Sequence, residues 1–246
     1  MSDDVPYFVN GAFVLEPEAI QPERHGRVDL YVPPAAEGPL PAVVFVCGGP
    51  LPAEAEWINP REWPVYRGYG NLLAANGLIA APLQLPLHEW DQFPGAADAL
   101  KEAIEQVRAD ERVDSDRIAI WFFCGGSPLI SDYLRTPPEW LRVLAATYPA
   151  LGSRPHMELE PRFEPSLAVA EHGDVPQIVL TRVGLEAPLV AETVEKFVAA
   201  AEEHQVELTI IDVPNGHHGF DIVDHTEESR EAVHRALNLV REALVK

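Results

Sequence analysis

Residues 117–131 read RIAIWFFCGGSPLIS, and the fold follows from how this stretch breaks. The β-branched and aromatic run at 118–123 predicts a buried strand, and it stops abruptly at Cys124-Gly125-Gly126 before a segment able to continue as a helix. A strand, a sharp turn and a helix lift the apex residue above the edge of a sheet, while main-chain N–H groups behind it point at the same spot. The apex residue is Cys124. A thiol at a helix N-terminus is biased toward thiolate by the positive end of the helix dipole. A base, an acid and donors to an oxyanion are then expected at the other strand ends.

Working outward, residues 42–47 (AVVFVC) and 78–85 (LIAAPLQL) are continuous apolar runs of the kind buried on both faces of a parallel sheet. Residues 143–148, 177–181 and 206–213 complete the set of core strands. Residues 5–15 and 27–32 read as edge strands, the latter ended by Pro33-Pro34. Helical spacing predicts helices over 66–76, 93–109, 188–204 and 226–245, with Ala96, Leu100, Ile104 and Val107 on one face of the second. Strands alternating with helices predict an α/β fold with a mostly parallel sheet covered on both faces. No linker divides the chain, so 1–246 is read as a single domain, with 150–174 as a cap or loop segment over the site.

The net charge of −21, from 39 acidic against 18 basic residues, argues against nucleic-acid phosphate as a partner. No apolar run is long enough to cross a bilayer, and the first residues, MSDDVPYFVNG, lack the charged and apolar regions of a secretory signal. Two cysteines in 246 residues do not make a disulfide framework, which fits a reduced, cytoplasmic setting.

In open α/β sheets, ligands bind beyond the carboxyl ends of the strands. Taken in chain order, those ends are Cys47-Gly48-Gly49, Cys124-Gly125-Gly126, 182–186 and 215–220 (NGHHGF). They hold a nucleophile, an acid and a histidine in that order, which among the well-known triad folds is the α/β-hydrolase order.

On these residues the chain resembles an α/β-hydrolase of the dienelactone hydrolase-like type, from about Val28 onward. The resemblance rests on the elbow Phe122-Phe123-Cys124-Gly125-Gly126 and its approach VDSDRIAIW, on Gly48-Gly49, on VGLEAP, and on His218-Gly219-Phe220. It implies hydrolysis of a small carboxylic ester or lactone, without cofactor or metal. Dienelactone hydrolases use a cysteine nucleophile, which matches Cys124. Two positions depart from the pattern: Phe122 stands where a small residue is usual, and Glu186 where aspartate is usual.

The resemblance assigns Cys124 as nucleophile, His218 as base and Glu186 as the acid that orients it. The backbone N–H of Gly125 and one from the Gly48-Gly49 turn would form the oxyanion hole. His217 competes with its neighbour, Asp212 and Asp174 are fallback acids, and His217, His218, Asp221 and His225 form an alternative metal set that matches no zinc pattern. Trp57, Trp63, His88, Trp90 and Trp140 are candidates for an acyl or ring pocket, or cover for the core. Arg182 is a candidate for a substrate carboxylate, or a surface arginine. A thioesterase or acyltransferase on the same triad is the alternative enzyme. A catalytically impaired ligand-binding homologue is the non-enzymatic alternative, motivated by Phe122 and by cysteine in place of the commoner serine.

Overall fold

A computed structural model describes residues 6–34, 38–52, 59–171 and 173–245. Its strands are β1 (Glu23–His25), β2 (Val28–Leu30), β3 (Leu40–Val46), β4 (Ile79–Leu83), β5 (Val113–Phe123), β6 (Leu141–Thr147), β7 (Gln177–Leu185) and β8 (Leu208–His217). The helices are α1 (Tyr7–Asn10), α2 (Pro64–Ala75), α3 (Phe93–Arg108), α4 (Ile130–Arg135), α5 (Pro165–Ala170), α6 (Pro188–Glu203), α7 (Phe220–Val223) and α8 (Glu227–Val245). The eight strands form one sheet in the order β1-β2-β4-β3-β5-β6-β7-β8. Pairing is parallel from β4 through β8, and β1 and β2 add antiparallel at one edge.

The continuous apolar runs are explained by the two faces they serve. Val44, Val46, Ile118, Ile120 and Phe122 point into a core shared with α3, α4, α5 and α6. Their neighbours Val43, Phe45, Ala119, Trp121 and Phe123 point into a second core beneath α2 and α8. Successive side chains on a strand face opposite ways, so a strand at the centre of such a sheet must be apolar at every position.

Several expected elements differ in extent, and one in kind. Residues 5–15 do not pair as a strand; Val5 lies outside the described residues, and Tyr7–Asn10 make one helical turn between Pro6 and Gly11. The chain then runs extended across the strand ends, where the Val14 N–H donates to the Asp221 carbonyl (2.9 Å). Apolar side chains here serve packing: Phe13 lies over Gly68 of α2, where a Cβ would come within 2.3 Å of its ring. The polar strand Glu23–His25 was not anticipated, because an exposed edge does not demand apolar residues. Within 150–174, α5 packs beside α4 and α6, and no described residue of the segment lines the cavity around Cys124. Among the described residues, no helix is long and apolar enough to cross a membrane.

The edge of the sheet is tied to the chain leading into α2 by a buried charge. Asp29 of β2 accepts from Arg24 Nε (2.9 Å) and from Arg61 Nη1 (3.1 Å), and Arg61 is itself buried among Asn59, Gly26 and Gln84. Removing one partner of such a pair strands the other charge in a poorly solvated place. Asp29→Ala is therefore expected to lower the unfolding free energy by about 3–5 kcal/mol, read from urea denaturation.

Candidate active site

The elbow is built by a close approach of two turns. Cys124 follows β5 directly and adopts a left-handed φ of 48°, which is costly for a residue with a Cβ. The two residues after it meet the backbone of the turn after β3: a Cβ on Gly125 would lie 1.7 Å from the Gly49 oxygen, and one on Gly126 2.4 Å from the Cys47 oxygen. Only glycine fits at either position. From behind, the Ala150 N–H donates to the Cys124 carbonyl (3.0 Å). A 3-10 turn, Cys124–Leu129, leads from the elbow into α4. Phe122 is accommodated in the core on the α3 and α4 side, its ring 6.4 Å from that of Tyr133, whereas Cys124 packs against the opposite cluster.

Three side chains predicted from distant parts of the sequence converge here. His218 Nε2 lies 3.0 Å from Cys124 Sγ, and His218 Nδ1 lies 2.6 Å from Glu186 Oε2. Glu186 follows β7, its other oxygen accepts the Ala187 N–H (2.7 Å) just ahead of α6, and its side chain is almost fully buried. The extra methylene relative to aspartate is absorbed there. His218 follows β8, and Gly219, with φ 76°, turns the chain into α7.

The neighbouring histidine points elsewhere. His217 is exposed and bound to Asp224, through both its ring Nδ1 (3.0 Å) and its backbone N–H (2.7 Å). His225 Nε2 contacts the Ile222 carbonyl, so the alternative metal set does not converge. Among the described residues, no group of three or more His, Cys, Asp or Glu is arranged to hold an ion. The fallback acids are also apart from the thiol: Asp212 pairs with Arg182, and Asp174 is exposed.

Electrostatically the two cysteines differ. At Cys124 burial opposes ionisation, but the hydrogen bond and charge of His218, helped by the Gly125 N–H, outweigh it and hold the thiol below its ordinary value. Burial likewise works against the His218 cation, yet Cys124 and Glu186 on its two nitrogens raise it well above the usual imidazole range. Both shifts act in the same sense, favouring the thiolate and imidazolium forms of the pair. At Cys47 burial dominates and drives the thiol far upward, leaving it a packing residue.

A second carboxyl lies behind the histidine. Asp221 is fully buried, its Oδ2 accepts from Tyr69 Oη (2.9 Å) and Tyr148 Oη (3.1 Å), and its Oδ1 has no partner among the described residues. Burial outweighs both tyrosine hydrogen bonds and pushes its pKa up to about 7. The Tyr148 ring in turn lies 5.0 Å from that of His218.

Above the sulfur is a largely apolar cavity of about 210 Å³, lined by Tyr7, Phe8, Trp63, Tyr66, Tyr148 and Ile222 along with Gly48 and Gly49. The N-terminal turn thus covers the site. Of the candidates Trp57, Trp63, His88, Trp90 and Trp140, Trp63 alone among the described residues lines this space. Trp90 stacks on Phe93, Trp140 carries the Arg108 guanidinium, His88 contacts the Leu51 carbonyl, and Trp57 lies outside the described residues. The Gly48 N–H, an expected oxyanion donor, is instead engaged with the Tyr66 hydroxyl (2.8 Å). Tyr148 follows β6 and could have been found by the strand-end rule. Phe8, Tyr66 and the buried tyrosine contacts of Asp221 carry no such signal.

No family model matches the sequence, and no curated protein matches it. Solved structures do match in fold. EstE1, a thermophilic and thermostable carboxylesterase cloned from a metagenomic library, aligns with a TM-score of 0.74 at 15% identity, covering 94% of this chain and 92% of its own. Thermogutta terrifontis esterase 2 phosphoramylated by tabun aligns with a TM-score of 0.68 at 17% identity, covering 93% and 96%. Porphyromonas gingivalis dipeptidyl peptidase 4 aligns with a TM-score of 0.68 at 10% identity, covering 87% of this chain and 33% of its own. At such identities the likeness is one of architecture: the chain has the α/β-hydrolase fold.

The Asp221 carboxyl predicts a pH effect on stability. A carboxyl whose pKa is higher folded than unfolded binds more protons when folded, so it favours the native state at low pH, and this contribution is lost as pH rises through about 7. Asp221→Asn should flatten that dependence. Melting temperatures are expected to favour the variant relative to the parent more at pH 8 than at pH 5.

Proposed function

We propose that this protein hydrolyses small, uncharged carboxylic esters or lactones through a covalent thioester on Cys124. The observation that carries the reading is the unbroken hydrogen-bonded line from Cys124 Sγ through His218 to Glu186 at the floor of an apolar cavity. The thiolate attacks the acyl carbon, and the carbonyl π electrons move onto oxygen beside the Gly125 N–H. Collapse breaks the bond to the leaving oxygen, which takes the proton from His218 Nε2 and departs as the alcohol. Neutral His218 then accepts a proton from water as water adds to the thioester. Breakage of the C–S bond releases the carboxylic acid and restores the thiolate and imidazolium. Glu186 holds Nδ1–H throughout, keeping Nε2 aimed at the sulfur and stabilising the cation.

The cavity favours neutral substrates over the carboxylate-bearing lactones that the dienelactone hydrolase-like resemblance suggests. His218 aside, no described residue lining it is cationic, and residues 53–58 contain no lysine or arginine. Arg182 is held by Asp212 and Glu195, which argues against its receiving a substrate carboxylate. A volume of about 210 Å³ suits a short acyl group, closed off by Phe8 and Trp63. Because Phe122 packs away from the sulfur, it does not favour the non-catalytic alternative.

With p-nitrophenyl acetate the enzyme is expected to turn over, and Cys124→Ala to abolish both burst and turnover; activity surviving in that variant overturns the reading. A thioester panel separates esterase from thioesterase or acyltransferase. Phe8→Ala should extend activity toward longer acyl chains, measured as the ratio of p-nitrophenyl octanoate to acetate hydrolysis.

The lowered thiol also sets a pH expectation. Iodoacetamide should alkylate Cys124 at pH values below the ~8.5 at which an ordinary cysteine ionises, and His218→Ala should move that profile upward.

A further inference from the structure

We propose that the Tyr66 hydroxyl is the second donor to the oxyanion, so that a side chain of α2 completes the hole in place of the main-chain amide of Gly48. This rests on the esterase reading above and adds a catalytic residue to it. The first ground is hydrogen-bond accounting. The Gly48 N–H donates to Tyr66 Oη (2.8 Å), so that amide is engaged and the hydroxyl is used as an acceptor. A hydroxyl can accept and donate at once, and its own proton is left to give. Among the described residues, Tyr66 Oη donates to no oxygen or nitrogen, and the other polar group beside it is the Cys47 thiol, a weak acceptor.

The second ground is position. Gly48 has no side chain, and the point where its Cβ would stand lies 3.6 Å from Cys124 Sγ and 3.6 Å from Tyr66 Oη. The same point lies 3.1 Å from Cys124 Cβ, so sulfur and hydroxyl both border the strip of cavity floor beside Gly48, and the Gly125 N–H bonds the sulfur. A carbonyl attacked by the sulfur has its oxygen within this space, and a methyl group on Gly48 would occupy it.

The third ground is rigidity. Tyr66 is buried, with its ring edge-on to Phe123 (5.3 Å) and stacked with Trp63 (6.0 Å), so the hydroxyl is held without being ordered during the reaction. Burial raises its pKa well above the usual phenol range, which keeps the donor protonated. As the thiolate adds to the carbonyl, charge grows on oxygen and the O–H bond points at it. The Gly48 N–H behind polarises that O–H further. No bond to Tyr66 forms or breaks; the proton stays on the phenol.

Tyr66→Phe keeps the ring packing and removes only the hydroxyl. Its kcat on p-nitrophenyl acetate is expected to fall by about 10²–10³-fold with KM little changed. Alkylation of Cys124 by iodoacetamide forms no oxyanion and should keep its rate and pH profile. A trifluoromethyl ketone, which adds to the thiolate to give an oxyanion, should bind more weakly by a comparable factor. Unchanged kcat and unchanged ketone affinity in Tyr66→Phe, alongside inactive Cys124→Ala, overturn the Tyr66 assignment and leave the esterase reading intact. If Cys124→Ala stays active, the underlying reading itself fails. A variant that loses activity, alkylation and ketone binding together has a disturbed fold at the thiol, which counts against a donor role confined to the oxyanion.

Discussion

The site depends on the contact between two backbone turns. The turn after β5 lies so close to the turn after β3 that a single methyl at Gly125 would strike the Gly49 carbonyl. This contact holds Cys124 in a left-handed conformation that it would otherwise avoid. The sulfur is thereby lifted off the sheet edge and the N–H of Gly125 brought beside it. The parallel sheet supplies the rigidity, since β3 and β5 are adjacent strands buried on both faces.

Around that turn, two carboxyl groups approach one imidazole under opposite conditions. Glu186 bonds directly to His218 and receives a main-chain N–H. Asp221 is sealed behind the Tyr148 ring with one oxygen unpartnered, and burial favours its neutral form. One carboxyl fixes the ring of His218, and the other gathers Tyr69 and Tyr148.

The cover of the site comes from an unexpected part of the chain. Within 150–174, read as a cap or loop segment, α5 packs along α4 and α6, while Tyr7 and Phe8 of the N-terminal turn line the cavity over the sulfur. Apolar residues at 5–15 are compatible with a strand or with a segment laid across strand ends. Pro6 and Gly11 flank the turn that decides between them.

By itself the sequence determined the central sheet, because strands buried on both faces must be apolar at every position, as 42–47 and 118–123 are. It also determined the elbow, since Gly125 and Gly126 leave little else to be built there, and the strand ends where an acid and a histidine would lie. Only the tertiary structure decided which histidine meets the thiol. Adjacent residues at the end of a strand point in opposite directions, so His217 and His218 cannot be told apart until the register is set. That register shifts near Gly184, where a Cβ would lie 2.2 Å from the Pro214 carbonyl, and Leu185 pairs with His217. Tyr66 was hidden for a related reason: on its helix it reads as one more apolar residue, and its hydroxyl gains meaning only where α2 meets Gly48.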